Sequence, residues 1–202
     1  MGSHHKGEDI VKAMGDLPAK TLLILDEAYV ECAPEGTAVP LPADDPRLIR
    51  MRTFSKAYGL AGARVGYAIG HPDLIQAFHK VRNHFGMNRA AQAGALAALN
   101  DQPYLAQVQQ QITQARDQIA QIAQDNGLTP LPSATNFVTI DCGHDGEFAK
   151  AVLDGLIAQG IFVRMPFVAP QNRCIRISCG TPAMLQALAT ALPKALADAK
   201  QG

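Results

Sequence analysis

The sequence predicts an α/β first half, a mostly parallel sheet with helices, followed by a small α+β domain. Three observations carry that expectation. Thr21-Leu-Leu-Ile-Leu25 is a continuous apolar run, too short for a helix, with the pattern of a strand covered on both faces as in a parallel sheet. Helical and strand-like patterns then alternate up to about residue 103. Beyond Asn126-Gly127 the texture changes to short β-type runs set between amphipathic helical stretches. The expected organisation is a first domain over 1–103, a connecting helix over 104–126 and a second domain over 127–202.

In chain order, residues 1–19 are polar and mixed, with a short helical pattern around Ile10, Val11 and Met14. Met1-Gly-Ser-His4-His5 reads as the remnant of a purification tag rather than a metal site. After the first strand, proline and acidic residues over 34–46 mark a loop. Leu48–Phe54 and Val65–Ile69 are the next strand candidates. Pro72 opens a helix to about Arg82, with Asp73 near its positive end. Residues 89–100 are alanine-rich and helical. A long helix over about 104–125 repeats Leu105, Val108, Ile112, Ala115, Ile119 and Ile122 at three and four residues, one apolar stripe, and ends at Asn126-Gly127. Asn136–Asp141 reads as a strand, 147–158 as a helix, and Ile161–Val163 and Cys174–Ser178 as two further strands. The last helix, 182–199, carries Leu185, Leu188, Leu192 and Leu196 and is expected to bend at Pro193.

The composition narrows the function. With 18 basic and 18 acidic residues among 202, no charge excess steers the chain toward nucleic acid or an acidic membrane surface. No apolar stretch approaches the roughly 20 residues of a membrane span, and no secretion signal opens the chain. Cys32, Cys142, Cys174 and Cys179 form no CxxC pair or zinc spacing, so reduced thiols in a cytoplasmic protein are expected, and no metal.

The chemistry concentrates in Arg52-Thr-Phe-Ser-Lys-Ala-Tyr-Gly-Leu-Ala-Gly-Ala-Arg-Val-Gly-Tyr67. Lys56 is an amine set among hydroxyls and glycines, where backbone can approach a ligand closely. Thr53 and Ser55 offer hydroxyls, and Arg64 a charged fork suited to phosphate. Alone, Lys56 would more readily read as a surface lysine between a strand and a glycine-bearing turn. Asp26 ends the Leu22–Leu25 run, where open α/β sheets bind ligands; its plain alternative is a helix or turn cap. Glu27 is expected to face the other way. Tyr29 follows, a phenol that could donate to a cofactor oxygen or fill the core. An amine able to form a Schiff base, a phosphate cup and a buried carboxylate together suit pyridoxal 5′-phosphate (PLP), whose ring nitrogen needs an anion to stay protonated and withdraw electrons. In the second half, Arg176 alternates with Ile175 and Ile177, and Arg164 ends another strand-like run. Both fit either a solvated surface or anion recognition.

These segments resemble the histidinol-phosphate aminotransferase branch of the class I and II, fold-type I aminotransferases. The matching pieces are Asp26-Glu-Ala-Tyr29, Thr53 to Tyr67, Ser133-Ala-Thr-Asn-Phe137, Gly160-Ile-Phe-Val-Arg164 and Arg176-Ile-Ser178, in family order from about Lys20 onward. The resemblance implies a PLP-dependent transaminase with a PLP-transferase large domain, here partial, and a small C-terminal domain. It implies that Lys56 forms the Schiff base and shuttles the proton, Asp26 pairs with the pyridinium nitrogen and Tyr29 bonds the phenolic oxygen. Ser55, Arg64 and Thr53 would hold the phosphate. Arg176 would bind the α-carboxylate, and Arg164 matches the arginine that contacts the substrate phosphate in the histidinol-phosphate enzymes. Met165-Pro-Phe-Val-Ala-Pro170, however, follows it as in aromatic aminotransferases. The implied substrates are histidinol phosphate or an aromatic amino acid, with a 2-oxo acid such as 2-oxoglutarate, in a cytoplasmic homodimer.

The family is considerably longer. Its N-terminal arm, glycine-containing phosphate loop, ring-stacking aromatic and the asparagine before the Asp26 strand have no match here, so the chain is expected to begin partway through the large domain. The alternatives are a PLP decarboxylase of the threonine-phosphate type on the same fold, and a non-catalytic truncated fragment.

Overall fold

The structure is a computed structural model describing residues 1–38 and 41–201. The chain divides into two compact units, His4–Gln109 and a second formed by Gln110–Gly202 with Met1–Ser3.

In the first unit, helix α1 (Gly7–Asp16) precedes strands β1 (Leu23–Asp26), β2 (Leu48–Thr53) and β3 (Gly66–Gly70), which lie in the order β1-β2-β3. β1 pairs parallel to β2, with Leu23 opposite Leu48 and Asp26 opposite Met51. β2 pairs antiparallel to β3, with Thr53 opposite Gly66. Of the two ladders only one is parallel, because residues 54–65 join β2 to β3 directly, without the crossover a parallel pair needs. The α/β class stands, with an antiparallel strand on one side.

The two faces of this sheet differ. Leu23, Leu25 and Leu48 pack with Ile10, Met14 and Leu17 of the α1 region and with Leu41. Leu22 and Ile24 point the other way and are 42% and 63% exposed. The expectation of a strand covered on both faces is therefore corrected: α1 covers one face of β1, and β1 is the sheet edge. The predicted loop over 34–46 is irregular where described, residues 39 and 40 lying outside the described residues.

Helix α2 (Pro72–Val81) starts at proline, with the His71 ring accepting the Asp73 N–H at 3.3 Å. Helix α3 (Arg89–Asn100) is capped by Asn88, whose side-chain oxygen accepts the Ala91 N–H at 2.7 Å. Helix α4 (Gln102–Asp125) carries the predicted stripe: Leu105, Ile112, Ala115, Ile119 and Ile122 are all buried, Val108 half-buried. Its end is a Schellman turn, with Leu128 N–H donating to the Ala123 carbonyl, Gly127 N–H to that of Gln124, and Gly127 at φ 72°.

The second unit has strands β4 (Thr129–Pro130), β5 (Phe137–Asp141) and β6 (Cys174–Ser178) in an antiparallel sheet ordered β4-β5-β6. Helices α5 (Gly146–Ala158) and α6 (Pro182–Ala199) cover it, capped by Asp145 and Thr181. Its core joins Ile119, Ile140, Val152, Leu156, Ile175, Leu188 and Leu192. Helix α6 is assigned continuously through Pro193. The strand expected over Ile161–Val163 is absent among the described residues. The Ile161 N–H closes the end of α5 on the Leu156 carbonyl, leaving a single backbone bridge further on, at Arg164. No described helix is long and apolar enough to cross a membrane.

Candidate functional site

The residues singled out in the first unit gather at the C-terminal ends of β1 and β2. Side chains alternate along a strand, so Asp26, aligned with Met51, points to the open face with Thr53, while Glu27 turns to the α1 side. Asp26 is exposed rather than buried, because its face of β1 carries only the exposed Leu22 and Ile24. One of its oxygens accepts the Ala28 N–H at 3.0 Å, so it also serves as a turn cap. That turn delivers Tyr29, and the Lys56 ammonium lies 4.8 Å from the Tyr29 ring centroid. Lys56 is half-buried. Among the described residues its ammonium makes no hydrogen bond or ion pair.

Local chemistry explains why Lys56 sits where it does. Phe54 and Val65, both buried, close the base of the β2–β3 loop through the Phe54 N–H and the Val65 carbonyl at 3.1 Å. Ala91 and Ala95 of α3 pack beneath them, and Tyr58 and Tyr67 lean on the Phe54 ring at 4.8 and 5.6 Å. The Gly59 N–H returns to the Lys56 carbonyl at 2.9 Å, with Gly59 at φ 71°. The loop thus has its own small core, and Lys56 rides on its rim.

Thr53 and Ser55 form a pair: their hydroxyls are 2.9 Å apart, and the Ser55 N–H donates to Thr53 Oγ1 at 3.1 Å. Arg64 is exposed and left-handed (φ 55°, ψ 50°), with its guanidinium donating to the Ala61 carbonyl at 2.8 Å. A non-glycine residue held there stores strain, which clusters at functional sites.

A group that the sequence reading passed over lies behind this site. Glu27, 8% exposed, accepts two bonds from Arg50 at 3.0 and 2.7 Å and one from Arg52 at 2.9 Å. Arg52 also faces Glu31 at 3.9 Å. Burial alone would push the Glu27 carboxyl up, but bonds from Arg50 and Arg52 and their charges hold it below the usual range. Glu31, half-buried with weaker help, is pushed up by desolvation. Two arginines at alternate positions of an otherwise apolar β2 were the available signal, since a buried cation requires an anion.

In the second unit, Arg164 and Arg176 exchange backbone bonds in the isolated bridge, at 3.1 and 2.6 Å. Directly opposed residues project to the same side of the sheet. Arg176 is half-buried with its guanidinium 4.4 Å from the Phe137 ring centroid, and Arg164 is exposed. Ser133 and Thr135 are engaged locally, both donating to the Phe137 carbonyl. Among the described residues no cluster of His, Cys, Asp or Glu could hold a metal.

A fold of this class, with a lysine loop at the strand ends, has known counterparts. The model of the class I and II aminotransferases matches residues 7–192, and the chain belongs to that family. A histidinol-phosphate aminotransferase 2 of Pseudomonas fluorescens (strain Pf0-1) is 37% identical over 200 residues, 97% of this chain and 53% of that protein. The histidinol-phosphate aminotransferase of Bacillus licheniformis is 37% identical over 185 residues, 89% of this chain and 50% of that protein. The crystal structure of histidinol-phosphate aminotransferase from Sinorhizobium meliloti in complex with pyridoxal-5′-phosphate superposes with a TM-score of 0.93 at 54% identity, covering 98% of this chain and 55% of that one. The chain spans about half the length of the curated relatives it matches.

Proposed function

We propose that this chain is the lysine-bearing part of a PLP-dependent aminotransferase, with Lys56 forming the Schiff base. The observation that carries the reading is an amine without hydrogen bond or ion pair among the described residues, half-buried over the Tyr29 ring beside a paired hydroxyl set. The residues present fit the cofactor. A hydroxyl can redirect its proton, so the Thr53–Ser55 pair can turn to an anion without rebuilding the backbone. Where Gly59 and Gly62 would carry side chains there is open space within 4 Å, leaving room for a ligand against the loop.

PLP, when bound, supplies an electron sink that stabilises negative charge on the substrate α-carbon. Lys56 would hold it covalently and, once displaced by the substrate amine, would take the proton from the substrate α-carbon and deliver it to the cofactor rather than back to that carbon. Asp26 on the open face opposes the ring nitrogen with negative charge, and Tyr29 donates its phenol to the ring oxygen. Thr53, Ser55 and Arg64 receive the phosphate. In the second unit, Arg176 takes the α-carboxylate, and Arg164 a phosphate at the far end of the substrate. Like charges directly opposed across a bridge are destabilising, so an anion at each guanidinium relieves them.

The substrate reading is an amino acid or amino-phosphate, histidinol phosphate or an aromatic amino acid, with a 2-oxo acid such as 2-oxoglutarate as acceptor. Residues 1–103 form the remainder of the large domain, 104–126 the connecting helix and 127–202 the small domain, in a homodimer. Cys32, Cys142, Cys174 and Cys179 form no disulfide among the described residues, which suits a reducing cytoplasm.

The test is titration with PLP while recording the visible spectrum, with Lys56→Ala in parallel. A yellow band dependent on Lys56, and borohydride reduction that fixes the label to the Lys56 peptide, are expected. No Lys56-dependent band at saturating PLP overturns the reading. Keto acid rather than carbon dioxide as product separates transamination from decarboxylation.

A further inference from the structure

We infer that Glu27, gripped by Arg50 and Arg52, is a positioning residue that sets Asp26 and Tyr29 against the Thr53–Lys56 segment. The inference rests on the PLP site proposed above, and it concerns residues that would not themselves touch the cofactor.

The β1–β2 ladder pairs Asp26 with Met51, and its last backbone bond is the Glu27 N–H to the Met51 carbonyl at 2.9 Å. Past that point β1 turns away into the Asp26 cap and Tyr29, whereas β2 continues through Arg52 and Thr53 to the lysine loop. No ladder bond joins β1 to β2 at the height of Thr53. Side chains make the tie instead. Glu27 Oε2 accepts from both Arg50 Nε, at 3.0 Å, and Arg52 Nε, at 2.9 Å, and Oε1 takes Arg50 Nη2 at 2.7 Å. Two of the three clamped residues are chain neighbours of site residues on the opposite face: Glu27 of Asp26, and Arg52 of Thr53. A shift of one carboxylate therefore moves both site residues.

Stability alone gives no reason for charges here. This face of the sheet carries Leu23, Leu25 and Leu48 with Met14, with Glu31 and Tyr67 beside Arg52 at its end, and well-packed apolar residues often serve as well as a buried ion pair or better. What a bidentate fork provides is direction, since it fixes distance and angle together. Supporting contacts of this kind act on ligand affinity through the residues they orient.

The experiment uses Glu27→Asp, which keeps the charge but shortens the reach, and Arg52→Lys, which keeps the charge but loses the fork. Met14→Ala, on the same packed face, is the control for simple loss of stability. PLP affinity and the visible circular dichroism per bound PLP are read below the unfolding transition, with far-ultraviolet dichroism confirming the fold. In both charge-conserving variants we expect the Lys56-linked band at saturation, PLP captured about tenfold more weakly, the size of effect seen for supporting partners at metal sites, and altered visible dichroism. Met14→Ala should lower the melting temperature and leave both readouts alone. Unaltered affinity and dichroism in either folded charge-conserving variant, or the same change in Met14→Ala, overturns the inference while the PLP site stands. A missing band in the unsubstituted chain overturns both.

Discussion

Arg64 offers the sharpest test of whether this loop is shaped for a ligand. Its backbone sits at φ 55°, ψ 50°, a region that costs an L-residue about 1–2 kcal/mol. Arg64→Gly removes that strain, but the added freedom of the unfolded glycine returns about 0.5–1 kcal/mol of it. Arg64→Ala keeps the strain. Both variants lose the 2.8 Å bond from the guanidinium to the Ala61 carbonyl, so that term cancels in the comparison. The glycine variant should then be the more stable of the two by roughly 0.5–1 kcal/mol, a separation of about 2–8 °C in melting temperature for a unit of this size. Urea and thermal unfolding of the two proteins side by side measure it. Both should capture PLP more weakly than the unsubstituted chain, so the better-folded glycine variant gains nothing in binding. If Arg64→Ala proves as stable as Arg64→Gly, the left-handed geometry is not strained. If Arg64→Gly binds PLP undiminished, the strain does not serve the phosphate.

Gly66→Ala would bring a Cβ to 2.7 Å from the Arg52 carbonyl oxygen, forcing the β2–β3 ladder apart at a cost of about 1–3 kcal/mol in urea unfolding. Gly62→Ala, with open space around it, should stay within about 0.5 kcal/mol. Glu27 and Glu31 should give opposite acid responses. Glu27 is depressed in the folded state, so its stabilisation is present above the unfolded value near 4.5 and is lost as pH falls through its lower folded value. Glu31 is raised above 4.5, so mild acidification through its folded value adds stability. Glu31→Gln should raise stability at neutral pH and abolish that gain, and urea midpoints across pH that match the unsubstituted chain would refute the assignment. Arg164→Gln should raise KM for a phosphorylated donor about tenfold or more, the worth of a charge-assisted contact, and spare an unphosphorylated aromatic one. Arg176→Gln should penalise both, and equal effects of the two substitutions on every donor would remove the assigned division of labour.

Elements with strong local signals were legible from sequence. The stripe of α4 and the leucines of α6 are buried as their spacing required, and Asn126-Gly127 ends α4 through a positive φ that glycine alone takes without strain. Cys174–Ser178 is a strand over the residues expected. Readings that depended on neighbours fared differently. Leu22–Leu25 looks doubly covered because a continuous apolar run carries no record of which face is packed. Ile161–Val163 has strand composition, but the end of α5 claims its first N–H. The site followed the same division. Lys56, Thr53, Ser55 and Arg64 share one segment, and Asp26 and Tyr29 stand three apart, so the candidates could be read from spacing. The Glu27–Arg50–Arg52 clamp joins residues 23 and 25 positions apart and needed the strand register to become visible.

Several departures from ordinary folding rules gather in one part of the first unit, although Phe85, between α2 and α3, is also left-handed (φ 57°) and 93% exposed. Left-handed Arg64, buried and clamped Glu27, a lysine half-buried without an ion pair among the described residues, and an aspartate at the end of an exposed apolar face all belong to the strand ends and the loop that follows them. The second unit keeps the rules more closely. Its core is apolar, its helices are capped by Asp145 and Thr181, and burial pushes the Cys142 thiol up to about 12, beyond reach of reaction. It does set Arg164 opposite Arg176 in a bridge, and it leaves Phe162 and Phe167 76% and 93% exposed. A sequence selected only to fold would remove such conflicts, because each has a cheap apolar, glycine or neutral replacement. At Arg64 and Lys56 a bound ligand would relieve the backbone strain and the lone charge, whereas Glu27 is already satisfied by Arg50 and Arg52.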